Sequence, residues 1–282
     1  MYRFVPIFIL VAVITACAPQ TIVPPAKQAS VYFQDGEDFF ERGLYQDAIA
    51  SWEKVRDSYY SPELNALAEL KIAEAHYLAE HYIEAAVAYE EFLKNHPDSP
   101  RVPESLHKLG LSYINQMLDV DQDQTATLHA LNAFRTLLKR FPQYRLREEA
   151  QIYADRCINQ LAGNELYVGQ YYLNAGHYKA AINRFEGLFR MYPNYLDRDR
   201  AYFYLGQAYL KDGQRDKAVE SFNTLFREFP ISEYIISAQK VGPTIASDIK
   251  RSSVWVIFLS LFIIFFYILI RFRNWQFGLG AL

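Results

Sequence analysis

Cysteine is nearly missing from this chain: 282 residues hold two, Cys17 and Cys157. That excludes a disulfide framework and any thiolate metal cluster. Glycine and proline number twelve each and never gather into a phosphate-cradling loop or a Gly-x-Ser-x-Gly elbow. Charge of one sign is not in excess, with 29 Lys and Arg against 32 Asp and Glu and a formal net charge of -3. No basic stripe is left to hold nucleic acid. The six histidines (His76, His81, His96, His107, His129 and His177) lack metal-ligand spacing. Asp119-Val120-Asp121-Gln122-Asp123 has neither the glycine nor the distant glutamate of a calcium loop, and reads as a solvated loop. No metal, no cofactor and no catalytic constellation is expected; the chain is not read as an enzyme.

What the chain has instead is one phrase written four times. A small Ala is followed by an aromatic residue four on, an apolar residue three further and a proline five beyond. The copies are Ala85/Tyr89/Phe92/Pro97, Ala130/Phe134/Leu137/Pro142, Ala181/Phe185/Leu188/Pro193 and Ala218/Phe222/Leu225/Pro230, after a partial one at Ala48/Trp52/Val55. The interval is 37 residues from Ala48 to Ala85 and from Ala181 to Ala218, but 45 and 51 in between. Leu205-Gly206-x-x-Tyr209, then Gly213, and Leu109-Gly110-x-x-Tyr113 complete the helix–turn–helix pattern of the tetratricopeptide repeat. Gly206 and Ala218 are small so that two helices can approach closely, Tyr209 and Phe222 fill the remaining space, and Pro230 stops the second helix. The expected fold is all-α, a solenoid of about five such repeats, which is a binding scaffold.

The two ends read differently. Met1 to Ala16 has one cation, Arg3, an apolar run from Val5 to Val13, and small residues before Cys17. Ile14-Thr15-Ala16-Cys17 resembles a bacterial lipobox, which makes Cys17 the lipidated residue and gives a membrane anchor worth ~0.8 kcal/mol per buried CH₂. A proline-rich tether follows to residue 28. Ala18 rather than Asp favours outer-membrane sorting by the enterobacterial rule. At the other end, Val254–Ile270 is an apolar run bracketed by Lys250, Arg251, Arg271 and Arg273. As a helix it would be about 26 Å long, at the short end of a transmembrane span. A single apolar helix belongs in an inner membrane, so the two ends point to different membranes.

The expected organisation is thus a signal peptide over 1–16, a tether over 17–28 and a repeat domain over 29–250. Its repeats are placed at about 29–62, 66–99, 103–144, 146–195 and 199–232, followed by a capping helix. A hydrophobic helix over 252–271 and a tail over 272–282 complete the chain. In such an array the first helix of each repeat lines the concave side. The register places Phe33, Phe40, Leu70, Tyr77, His107 and Ile114 there, with Gln170, Asn174 and Phe203 in a more polar later half. An apolar, aromatic early half suits an extended peptide with aromatic anchors, although each residue can equally be inter-repeat packing. Phe33 and Glu37 occupy positions where chaperone-tail clamps carry Lys and Asn, so a chaperone-tail receptor is disfavoured. Cys157, at a helical position, reads as a buried packing residue.

One stretch carries a closer likeness. Asn164-Glu165-Leu166-Tyr167-Val168-Gly169-Gln170-Tyr171-Tyr172-Leu173-Asn174-Ala175-Gly176-His177-Tyr178, running on through Asn183-Arg184-Phe185-Glu186-Gly187 to Tyr192-Pro193, resembles the BamD (YfiO, ComL) family of outer-membrane lipoproteins. Asp121-Gln122-Asp123, Ala130-Leu131-Asn132-Ala133-Phe134 and the lipobox extend the resemblance over roughly residues 14 to 240. It implies a non-catalytic lipoprotein at the periplasmic face of the outer membrane, in the β-barrel assembly machinery. Its implied partners are the barrel-forming, BamA-like subunit, other assembly lipoproteins, and the C-terminal segments of unfolded barrel proteins, received by the early repeats. Arg184 falls on the family arginine that contacts the barrel subunit, and its other reading is a solvated helix residue. The insertion Met117–Thr127 is shorter than in enteric relatives, and the apolar segment after Arg251 has no counterpart in the family pattern. A membrane-anchored periplasmic adaptor for cell-envelope, peptidoglycan or Tol-Pal type coordination is the alternative, with the inner membrane as its location.

Overall fold

The computed structural model describes residues 26–58, 61–240 and 258–267, and every regular element in them is helical. In chain order these are α1 (Ala26–Glu41), α2 (Tyr45–Asp57), α3 (Pro62–Leu78), α4 (Tyr82–Asn95), α5 (Val102–Ile114), α6 (Thr125–Arg140), α7 (Arg147–Asn174), α8 (Tyr178–Met191), α9 (Arg198–Lys211) and α10 (Arg215–Glu228). A short helix over 234–240 follows. Successive pairs form helix hairpins of tetratricopeptide type. The chain divides into two compact units, Met1–Gln116 with Asn132–Ala150 and Met117–Leu131 with Gln151–Leu282.

Each repeat of the sequence phrase has the same structural consequence. The second helices end two residues before Pro97, Pro142, Pro193 and Pro230. The residue between helix and proline is forced out of the helical region by the pyrrolidine ring. His96, Tyr192 and Phe229 accordingly share one conformation, with φ of -129°, -131° and -132°. At the other end of the hairpin the turn needs a left-handed residue, supplied by Gly43, Gly176 and Gly213 and, in the second repeat, by Glu80 at φ 60°. In each case the residue after it donates its N–H five residues back, as from His81 to His76 O (2.9 Å) and from Gln214 to Tyr209 O (2.9 Å).

Packing within a hairpin turns on a glycine under a ring. A Cβ on Gly110 would lie 2.6 Å from Phe134, and one on Gly206 would lie 2.6 Å from Phe222. Gly36 under Trp52 and Gly169 under Phe185 leave no room either. The four rings are fully or almost fully buried, and Ala73 with Tyr89 takes the same two places in the second repeat. In the first unit these contacts build cores around Trp52 and Tyr89; in the second they build one around Phe185, Phe222 and Leu225.

Loop 117–124 is laid along α7 within the second unit: Gln160 donates to the Leu118 carbonyl (2.8 Å) and Asn164 to that of Val120 (2.7 Å). Asp123 then caps α6, accepting from the Thr125 N–H (2.9 Å), which holds its carboxyl below the usual range. Cys157 is buried on α7, and burial pushes its thiol up to about 11.

The expected membrane-spanning helix is not found among the described residues. Residues 258–267 are helical, with Phe258, Leu259, Phe262 and Tyr267 exposed, but ten residues reach only about 15 Å. No described helix is long and apolar enough to cross a membrane. The rest of 254–270, like the lipobox at Cys17, lies outside the described residues.

Candidate binding surface

On the first unit, α3 and α5, the first helices of two hairpins, frame a pocket of about 220 Å³ together with Tyr89 of α4. Leu67, Leu70, Lys71 and Glu74 come from α3 and Glu104 and Lys108 from α5, with Arg101 at the edge. α3 starts where it does because Ser61 caps it, accepting from the Leu64 N–H at 3.4 Å, with Pro62 at its first position. This fixes the register that aims Leu70 and Lys71 at the pocket.

Each cation there has a partner. Lys71 Nζ is 3.1 Å from Glu37 on α1 and lies over the rings of Phe40 (5.2 Å) and Trp52 (5.8 Å). Arg101 pairs with Glu104 at 3.5 Å, and the Lys108 ammonium lies over the Tyr77 ring at 4.7 Å. Charged side chains around an apolar patch, with the Tyr77 ring beside it, can contact an extended polypeptide through its side chains.

The residues expected on this face fall into two groups. Leu70 lines the pocket and Tyr77 lies beside it under Lys108. Phe33 and Phe40 are half-buried against Trp52, and the Phe33 carbonyl accepts from the indole Nε1 at 3.2 Å. They form the floor of α1 against α2 more than an open wall. His107 and Ile114 are buried, which removes both from any surface a peptide could touch. His107 Nδ1 is 3.1 Å from the Tyr144 hydroxyl, and its ring meets the edges of Phe134 and Tyr144. Burial lowers its pKa, opposed by Glu149. The pocket's charged residues, Lys71, Glu74, Arg101, Glu104 and Lys108, escaped a sequence reading that searched helix faces for apolar and aromatic side chains.

On the second unit, Arg184 projects from α8 and is half-exposed. Its Nη1 contacts both oxygens of Glu165 on α7, at 3.2 and 3.1 Å. A second pocket, about 330 Å³, lies where Tyr209 donates its hydroxyl to Glu186. Gln170 and Phe203 stand on the first-helix face of this unit, with Phe203 buried against Tyr204, Phe222 and Tyr234. Among the described residues no three His, Cys, Asp or Glu side chains are grouped to hold a metal ion.

Residues 25–218 match the family model YfiO, outer membrane lipoprotein, and residues 221–282 match that of the protein export membrane protein SecD/SecF, C-terminal. The outer membrane protein assembly factor BamD of Caulobacter vibrioides is 28% identical over 184 residues, covering 64% of this chain and 60% of the relative. That of Rickettsia prowazekii is 28% identical over 154 residues (55% and 61%), and that of Neisseria meningitidis serogroup A is 26% identical over 197 residues (64% and 74%). The chain thus spans about three fifths of the length of the first two relatives. With the family model matched across well over half of its residues, the chain belongs to the YfiO family of outer membrane lipoproteins.

Proposed function

We propose that this protein is a non-catalytic scaffold for the assembly of outer-membrane β-barrels. The observation that carries the reading is the family match over residues 25–218, which spans both units, together with relatives named as assembly factors. In this reading the first unit receives the C-terminal segment of an unfolded barrel protein in the pocket around Leu70 and Lys71. The second unit docks the barrel-forming, BamA-like subunit, with the half-exposed Arg184 supplying a charge-assisted hydrogen bond. Other assembly lipoproteins share the complex, and lipid on Cys17 holds it at the periplasmic face of the outer membrane.

Depletion in the native cell tests the role: a selective loss of β-barrel proteins is expected, whereas intact barrels alongside division defects would sink it. For docking, Arg184→Glu is expected to weaken recovery of the barrel subunit in copurification at moderate salt. Unchanged recovery would remove Arg184 from the interface.

A second reading has its own observation. The apolar run 254–270 and the match of 221–282 to an export membrane protein's C-terminal region favour a tail inserted in the inner membrane. The chain would then be a membrane-anchored periplasmic adaptor. Membrane fractionation of the full chain and of a form lacking 252–282 separates the two: an outer-membrane position unaffected by the truncation supports the first reading, and a shift on truncation supports the second.

A further inference from the structure

We infer that Arg200 and Gln170, on the first-helix face of the second unit, form a receptor for a carboxylate carried by a partner polypeptide. Arg200 sits in the first turn of α9 and is partly buried. Among the described residues it forms no ion pair. Its contacts are a long hydrogen bond from Nη2 to Gln170 Oε1, at 3.4 Å, and the Tyr204 ring at 6.0 Å. The Nε nitrogen of Arg200 and the Nε2 nitrogen of Gln170 are both buried with no acceptor. Turning the Gln170 amide over gains nothing, because its oxygen already faces the guanidinium.

None of the neighbouring acids among the described residues pairs with Arg200, and Glu233 lies beside Tyr234 instead. Asp199 accepts from the Ser232 hydroxyl at 2.6 Å, and Asp197 accepts from that of Tyr195 at 3.3 Å. Two orphaned donors beside an uncompensated cation are costly to bury, so the site lacks an acceptor group and a negative charge together. A carboxylate supplies both, with two oxygens for a planar guanidinium and an adjacent amide. A water or a backbone carbonyl would leave the charge unanswered.

The rest of the repeat array sharpens the assignment. Gln170 follows Gly169 as Glu74 follows Ala73, and Arg200 precedes Gly206 by six residues as Glu104 precedes Gly110. The first unit therefore places glutamates where the second places Gln170 and Arg200. Tyr234, packed on Phe203 (5.1 Å) and Tyr204 (6.2 Å), adds apolar walls beside the cation. They suit an apolar side chain next to the partner's carboxylate.

Nuclear magnetic resonance of the full chain tests this through the Arg200 Nε–H signal. Sodium acetate is titrated first, then two short peptides: a neutral one with a free C-terminus, and an amidated one with a single internal Glu. The Arg200 signal is expected to shift with acetate and with one peptide. The peptide that binds tighter identifies the source as a chain terminus or an acidic side chain. Arg200→Gln is expected to weaken binding by about tenfold or more, and Arg200→Lys by less, because it keeps the charge without the planar fork. If Arg200→Gln fails to fold, Arg200→Lys and the wild-type titration decide. A signal that stays put at saturating acetate, or peptide affinity unchanged in Arg200→Lys and in Arg200→Gln, would overturn the assignment and leave an ordered water as the occupant.

Discussion

The two units build their first-helix faces from the same hairpin and treat charge in opposite ways. In the first, Lys71 is held by Glu37 and two rings, Arg101 by Glu104, and Lys108 by the Tyr77 ring. In the second, Arg200 has one long hydrogen bond and no carboxylate. The backbone frame is indifferent to this difference, because the packing phrase occupies the interior and leaves the face free to vary. A repeat scaffold can thus carry two chemistries on one architecture, and the comparison can be pressed from the core outward.

Truncating the ring under each glycine should cost most and cost the same in both units. Phe134→Ala in the first and Phe222→Ala in the second, both buried against a glycine, are each expected to lose about 3–5 kcal/mol in urea unfolding. Adding a methyl group at the glycine is milder. Overpacking of up to about 3 kcal/mol is partly offset by the ~1 kcal/mol helix preference of Ala over Gly, so Gly110→Ala and Gly206→Ala should each lose roughly 1–2 kcal/mol. Markedly unequal losses would show that the repeats are not energetically equivalent, and the shared phrase would lose its meaning as a common core.

Acid sensitivity should divide the units instead. His107 and His76, both in the first unit, have pKa values lowered chiefly by burial. A histidine held below its unfolded value of about 6.5 binds fewer protons folded than unfolded, so its contribution is intact above that pH and is lost as pH falls through it. The groups facing His107 include Glu149 and Glu104, which oppose the shift, and Lys108 and Arg145, which reinforce it. We expect stability monitored by Trp52 fluorescence to fall between neutral pH and pH 5, and His107→Gln to flatten that slope. A slope unchanged in His107→Gln would assign the acid response to other groups.

The interior was largely legible in the sequence, and the surface far less so. The phrase with its terminal proline located the second helices, and Gly206 with Ala218 announced a close approach. The partners Gly36 and Gly169 went unread, though they precede Ala48 and Ala181 by 12 residues as Gly206 precedes Ala218. In the third repeat the loop before α6 widens that spacing to 20, from Gly110 to Ala130, and hides the rule. His107 was assigned by helix register to an open face. In the structure it is buried, and Tyr144, 37 residues on, meets its ring. Arg184 reads as a partner-contacting or a solvated helix arginine, and neither reading includes its partner Glu165, which lies 19 residues upstream on the preceding helix. Periodicity reports which side of a helix a residue takes, and long-range cover is invisible to it.

A smaller effect tests whether repeats stack alike. Tyr113 donates its hydroxyl to Glu90 (2.8 Å) in the first unit, and Tyr209 does so to Glu186 in the second. Each tyrosine closes a Leu-Gly-x-x-Tyr motif, and each glutamate lies five residues after the Ala of the preceding copy. These carboxylates are reached by water, so Tyr113→Phe and Tyr209→Phe should each lose only about 1 kcal/mol, below the range for a buried charged acceptor. A loss in one unit alone would show that the bond sets repeat register there and not in the other.

The smallest effect concerns the turn. Glu80 takes the left-handed conformation that Gly43, Gly176 and Gly213 take in other repeats, and its N–H donates to Tyr77 O at 3.1 Å. A side chain in that region costs ~1–2 kcal/mol, while glycine brings an entropic penalty of roughly 0.5–1 kcal/mol from the unfolded chain. The two nearly cancel, so Glu80→Gly should stabilise the first unit by less than about 1 kcal/mol, whereas Gly213→Ala should destabilise the second by about 1 kcal/mol. Opposite signs from the two substitutions in thermal unfolding are the expected result. If Glu80→Gly destabilises, the glutamate side chain contributes a contact that outweighs its backbone strain, and the second repeat departs from the common turn for a reason other than tolerance.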